Sequence, residues 1–332
     1  MSTHLVTGGA GFVGVSLVRQ LLARGDSVVV LDDLSRVGSS QRLEDLRAEA
    51  GAALTVAIHD VCDAEAVDRT FVTHGPFTSV FHLAAQVAVT WAMEDPRRDF
   101  EVNAGGSFNI IDAIRRHSPH ARAIYMSSNK VYGGLEDLSS VRQDERTVFS
   151  DLPEGVGVER PLDPLTPYGV SKATGESYFR DAYRTYGIHS VVLRASCIYG
   201  PRQSQQEDQG WVSWFAAAVT SGQTLRIFGD GRTTRDMLYV ADLVDLYLRI
   251  LDGPPPEGWV LNVGGGPESA RSLLEVVRLI EEISGASAHI EHHPERIGDQ
   301  KVFITSVAKA KELYHWEPVT LPETGLRRLL ES

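Results

Sequence analysis

Six short runs rich in β-branched and other apolar residues, HLVTG, SVVVLDD, LTVAIHD, SVFHLAA, RAIYMSS and HSVVLRAS, recur along residues 3–196. Their near-continuous apolar character is that of strands buried on both faces. Between them lie amphipathic stretches at residues 12–24, 41–50, 64–74, 97–117 and 168–187 that read as helices. A repeated strand-helix order predicts a parallel, doubly wound α/β sheet, and right-handed crossovers then fix most of its topology. Residues 133–167 break the pattern: they lack periodicity and are long for a loop, so they are expected to be irregular and to lie over a site.

The first strand runs into Thr7-Gly8-Gly9-Ala10-Gly11-Phe12-Val13-Gly14 and then into a helix. In such a turn Gly8 permits the tight bend, Gly11 lets backbone approach a pyrophosphate, and Gly14 lets helix pack on strand. The helix N-terminus at Phe12 and Val13 then faces the anion. Asp32 ends the second strand, where a carboxylate accepts both ribose hydroxyls of an adenosine and repels a 2′-phosphate. The expected cofactor is therefore NAD rather than NADP; Asp33 should point to the other face. Asp60 and Val61 end the third strand and either meet the adenine edge or serve a cap. Leu83, Ala84 and Ala85 leave room for cofactor at the fourth strand end, Gln86 beyond them is expected at the substrate, and His82 reads as a packed histidine. The expected organisation is a Rossmann-type NAD-binding domain over residues 1–196, also receiving parts of 237–265. A smaller substrate-binding lobe would be formed by 197–236 and 266–332, at the carboxyl ends of the strands.

Tyr168-Gly169-Val170-Ser171-Lys172 opens a helix, and the i, i+4 spacing puts phenol and ammonium on one face. A phenol near pKa 10 is a poor base at neutral pH, but a neighbouring ammonium and a nicotinamide cation both favour the phenolate. Tyr168 can then take or return a hydroxyl proton while hydride moves to or from NAD.

With these pieces in place, the chain resembles the extended short-chain dehydrogenase/reductase family over nearly its whole length. TGGAGFVG, HLAAQ, SSNKVYG, PYGVSK, LRASCIYGPRQ, GDGRTTRDMLYVADL and RIGDQK stand in the family's order. The resemblance implies a catalytic triad of Ser128, Tyr168 and Lys172. Ser128 would hold the reacting oxygen, Tyr168 would act as acid and base, and Lys172 would hold the nicotinamide ribose and tune Tyr168. It also implies that Arg235 and Arg296 clamp a substrate diphosphate, with Asn129, Arg202 and Gln203 near the nucleotide sugar; planar guanidinium suits that clamp. Many relatives carry Asn where this chain has Cys197, so one amide contact to the diphosphate is absent or replaced.

The family's 4,6-dehydratases use a Thr-Asp-Glu run in place of Ser128-Asn129-Lys130, because eliminating water needs an acid and a carboxylate. An amide and an ammonium cannot take those parts. The 3,5-epimerases need a further acid/base pair, and Cys197 reads as buried packing. Ser-Asn-Lys-Val-Tyr-Gly together with YGPRQSQQEDQGWVSWF and ERIGDQKVF resembles the CDP-paratose/CDP-tyvelose 2-epimerases. The implied activity is an NAD-dependent nucleotide-sugar epimerase inverting C2 of a CDP-hexose. A UDP-hexose 4-epimerase, another sugar-nucleotide-modifying enzyme, and a dinucleotide-sensing module without catalysis stand as alternatives.

The net charge of -12 would repel a phosphate backbone, so nucleic acid is not an expected partner. The sequence holds no 18-residue apolar run and no export signal, and its two cysteines, Cys62 and Cys197, lack metal-type spacing, so a reducing cytoplasm without membrane contact is expected. His292-His293 has no third ligand, and no metal is expected. Trp211 and Trp214 either wall the nucleotide pocket or pack a helix face. Exposed apolar residues on 97–117 and 168–187 predict a homodimer or a dimer of dimers.

Overall fold

Each of the six apolar runs becomes a strand. β1 (Thr3–Thr7), β2 (Ser27–Asp32), β3 (Leu54–Ile58), β4 (Ser79–His82) and β5 (Arg122–Ser128) are followed by a hairpin, β6 (Ser140–Gln143) and β7 (Arg146–Phe149), and by β8 (Ser190–Ala195). Further on come β9 (Cys197–Tyr199), β10 (Thr224–Phe228), β11 (Thr234–Tyr239), β12 (Trp259–Val263), β13 (Ala270–Ser272), β14 (His289–His293) and β15 (Val302–Phe303). These assignments come from a computed structural model that describes residues 2–207, 209–296 and 298–332. The chain forms two compact units: Met1–Ser128, Pro167–Arg194 and Val244–Leu261 make the first, and Asn129–Thr166, Ala195–Leu243 and Asn262–Ser332 the second.

A seven-stranded sheet in the order β12-β8-β5-β4-β1-β2-β3 is the frame of the first unit. The pairs β1–β2, β2–β3, β1–β4 and β4–β5 are all parallel. Strand order reverses between β1 and β4, which puts a crevice at the carboxyl ends of these strands. The core includes Leu5, Leu31, Phe71, Val80, Ile110, Ile114, Phe179 and Val192; burying each such side chain stabilises by roughly 1.5–3 kcal/mol.

Helices α1 (Phe12–Ala23), α2 (Ser39–Ala50), α3 (Ala64–His74), α4 (Val89–Glu94), α5 (Pro96–Phe100), α6 (Ser107–His117) and α7 (Pro167–Tyr186) join the strands. The single helix expected at 97–117 is in fact α5 and α6 joined by a π-helical segment, Glu101–Gly106. Two contacts account for the wider turn. Gly106 lies against Val61, where a Cβ would come within 2.7 Å of a Val61 methyl, and Asn103 turns its amide inward to Gln86 and Asp99. Such insertions often accompany functional sites.

In the second unit β11 pairs with β9, β13 and β15, β10 pairs with β14, and the helices Trp211–Ser221 and Leu273–Ser284 cover a core containing Val212, Phe215, Ile227, Met237, Val276 and Leu326. Ser272 and Glu275 close a reciprocal cap on Leu273–Ser284. The stretch 133–167, expected to be irregular, contains the β6–β7 hairpin. It is tied down by backbone bonds from Val156 N to Ile304 O (2.7 Å) and from Asp163 N to Val131 O (3.0 Å), long-range partners that no local periodicity announces.

Candidate active site

The chain leaves β1 at Gly8 with φ +66°, a left-handed conformation that glycine adopts without strain. A Cβ on Gly14 would lie 2.1 Å from the Gly8 carbonyl oxygen, and one on Gly8 2.7 Å from Ala84 N. Glycine is therefore required at both positions. Helix α1 starts immediately afterwards with no side chain accepting from its first N–H groups, the arrangement that favours an anion. Leu83, Ala84 and Ala85, at the end of β4, are partly exposed, as are Phe12 and Val13.

Asp32 is nearly buried, and its two oxygens accept from Ala10 N and Leu34 N, each at 2.9 Å. Burial raises its pKa, and those two N–H bonds pull against the rise. Each oxygen retains a further lone pair, the capacity that two ribose hydroxyls need. Asp33 instead closes its own turn on Ser35. Asp60 accepts from Cys62 N and from the Arg98 guanidinium at 2.6 Å, while the cap of α3 is Asp63. The glycine cradle and the Asp32 carboxylate fit a dinucleotide.

Ser128 ends β5, and Tyr168 and Lys172 rise from the first turns of α7; all three are buried. Ser127, one residue earlier on the pleat, points the other way and donates to Glu176 at 3.1 Å. Burial pushes the Tyr168 phenol above its ordinary pKa, and the hydrogen bond with Ser128 and the Arg36 charge oppose that push. Lys172 is drawn down to about 7 by burial, against the attraction of Asp99 and Glu176. The expected fall of the phenol pKa draws on both an ammonium and a nicotinamide cation; in the protein without its cofactor, burial sets the direction and is upward. The Lys172 ammonium lies 4.6 Å from the Tyr125 ring centroid.

Several groups in this region had no part in the sequence reading. Fully buried Asp99 accepts from Ser171 Oγ (2.5 Å), Asn103 Nδ2 (3.0 Å) and Gln86 Nε2 (3.0 Å). Gln86, expected at the substrate, instead turns its amide inward, donating to Asp99 and to Ala88 O and accepting from Ala88 N. Glu176 is fully buried beside Arg194, 2.5 Å away. Arg36 exerts its charge on Tyr168, and its Nη2 is buried with no hydrogen-bond partner among the described residues. An isolated Asp, Glu or Arg carries no spacing signal, so only a search for acids at i+4 from Lys172 would have raised Glu176. His82 is buried between Thr7 Oγ1 and Ser107 Oγ, and burial lowers its pKa to about 3. It is a neutral packing residue.

In the second unit Arg235 stands on β11. Its guanidinium donates to Thr234 O (2.8 Å), to Asp299 Oδ1 (2.6 Å) and to Gln300 O. Lys130 Nζ reaches the same Asp299 oxygen at 3.2 Å. Asn129 Nδ2 donates to Gln300 Oε1 at 3.2 Å. Arg296 lies over the Phe228 ring at 3.8 Å and pairs with Glu207. The Gln203 amide is taken by Ile198 O and Ser213 Oγ, whereas Arg202 and Gln203 both line a cavity of about 830 Å³ with Ser213 and Ala216. Cys197 is partly buried, and burial drives its thiol up to about 12, so it packs as a neutral group. Trp211 and Trp214 pack on the unit's core. Among the described residues no group of three or more His, Cys, Asp or Glu is gathered as a metal centre, and no helix is long and apolar enough to cross a membrane.

A profile described as the NAD dependent epimerase/dehydratase family matches residues 4–264. The chain is 34% identical to CDP-paratose 2-epimerase of Salmonella typhi, over 98% of either chain. It superposes with TM-score 0.86 on UDP-glucose 4-epimerase of Thermotoga maritima, solved with UDP-glucose, at 31% identity over 99% of this chain and 97% of that one. With UDP-glucose 4-epimerase of Thermus thermophilus, solved in complex with NAD, the TM-score is 0.84 at 31% identity, covering 99% of this chain and 98% of that chain.

Proposed function

The chain belongs to the NAD dependent epimerase/dehydratase family, and from that premise we propose that it inverts C2 of a CDP-linked hexose by transient oxidation and re-reduction. The single observation that carries C2 over C4 is the full-length likeness to a CDP-paratose 2-epimerase. NAD, when bound, would supply reversible hydride-accepting and hydride-donating chemistry at the sugar carbon.

The protein's own residues do the rest. Ser128 hydrogen-bonds the reacting oxygen, and Tyr168, its hydrogen-bond partner, removes the hydroxyl proton and gives it back. Lys172 would hold the nicotinamide ribose, and Asp99 and Glu176 sustain its charge against burial. Gly8, Gly11, Phe12 and Val13 would hold the pyrophosphate, Asp32 the adenosine ribose, and Asp60 with Val61 the adenine. Arg235 and Arg296 grip the substrate diphosphate. Asn129 and Lys130 stand where elimination of water would need an acid and a carboxylate, which favours epimerisation over dehydration.

Incubation with CDP- and UDP-hexoses, followed by NMR of the sugar ring, tests the reading. Inversion at C2 of a CDP-sugar, with no net NAD consumption and no solvent deuterium entering the product carbon, is expected. Inversion at C4 of a UDP-hexose alone would establish the second reading, which the likeness to two UDP-glucose 4-epimerases favours. We further propose a homodimer through residues 97–117 and 168–187, where Phe100 of α5, Phe108 of α6, and Val170, Tyr178 and Tyr186 of α7 are exposed; light scattering at the monomer mass would refute it.

A further inference from the structure

Asn129-Lys130 and Asp299-Gln300 interlock residue for residue within the second unit, although about 170 positions separate them in the chain. Gln300 accepts from Asn129 Nδ2 and donates to Gly133 O at 2.7 Å, which fixes the segment carrying Asp299. Lys130 Nζ donates to Gly298 O (3.3 Å) and to Asp299 Oδ1 (3.2 Å). That same carboxylate oxygen accepts from Arg235 Nη2 at 2.6 Å. Two cations therefore share one acid, in a chain of net charge -12. The side chains of Lys130 and Arg235 are only 19% and 9% exposed while that of Asp299 is 44% exposed, so water screens the two cations weakly and reaches the carboxylate they share.

We propose that Lys130 is a positioning residue for the diphosphate grip: by sharing Asp299 it leaves positive charge on Arg235 uncompensated. The inference rests on the reading that Arg235 holds the substrate diphosphate. Without Lys130, Asp299 neutralises Arg235 one for one, and an incoming anion meets a closed ion pair. Lys130 acts through Asp299 because its ammonium is already committed to Gly298 O and to the carboxylate.

A double-mutant cycle on the NAD-loaded enzyme tests this, with calorimetric Kd for CDP and for UDP as the readout. Lys130→Met should weaken binding about tenfold, the order of one charge-assisted contact. Lys130→Arg should retain binding. In an Asp299→Asn background the Lys130→Met change should have no effect, because no carboxylate is left to share. An equal loss in both backgrounds would mean that Lys130 touches the ligand directly, and would overturn the proposal; so would unchanged binding by Lys130→Met. Arg235→Met separates the two levels. If it leaves Kd unchanged, the diphosphate reading falls and this inference with it; if it weakens binding while Lys130→Met does not, only this inference falls. Lys130→Gln, which can still donate to Gly298 O, replaces Lys130→Met should that variant fail to fold.

Discussion

In the first unit Ser128, Tyr168 and Lys172 stand at the ends of regular elements, so one strand and one helix turn supply all three. In the second, Lys130, Arg235 and Asp299 meet only because segments 64 and 169 residues apart are brought side by side. In the first arrangement backbone periodicity sets Tyr168 and Lys172 on one helix face, and Ser128 joins them from the end of β5. The second is as precise as its hydrogen bonds, and each of its charges depends on the others. The two units should therefore fail differently under mutation: the first by losing chemistry or fold, the second by losing grip.

The largest effect is expected from Tyr168→Phe, which removes the acid/base group and keeps the ring. kcat should fall on the order of 10²–10⁴-fold while NAD stays bound, as read by turnover and by cofactor absorbance. Retained turnover would break the assignment of chemistry to the first unit. Gly14→Ala strikes the same unit through its backbone, since the new Cβ would meet the Gly8 carbonyl oxygen. A loss on the order of 4 kcal/mol or failure to fold is expected, measured by urea unfolding. Arg235→Met in the second unit should raise KM for the nucleotide sugar about 10- to 100-fold, the worth of one or two charge-assisted hydrogen bonds. Its kcat should change little.

A further effect is a pH dependence of stability. Lys172 titrates near 7 when folded against an ordinary 10.5. Between those values the unfolded chain holds a proton that the folded chain has released, so the group's contribution disfavours folding most at pH 7 and below and fades as pH rises towards 10.5. Relative to Lys172→Met, the native protein should therefore gain stability between pH 7 and pH 9.5 in urea titrations. A parallel pH course for both proteins would show that Lys172 keeps its ordinary pKa.

Much of this molecule could be read from its order of residues alone. The alternation of apolar strands with amphipathic helices announced the sheet, and the spacing of Gly8, Gly11 and Gly14 announced a turn whose sterics the Cβ distances bear out. Such features rest on interactions within a few residues, where periodicity and the absence of a side chain are sufficient causes. Only the tertiary structure decided what surrounds them. It put Asp99 and Glu176 beside Lys172, broke 97–117 into α5, a π turn and α6, turned the Gln86 amide inward, and buried the Tyr168 phenol, which raises its pKa in the protein alone. It also joined Asn129-Lys130 to Asp299-Gln300. Burial and charge are sums over neighbours from the whole fold, and no local spacing carries them.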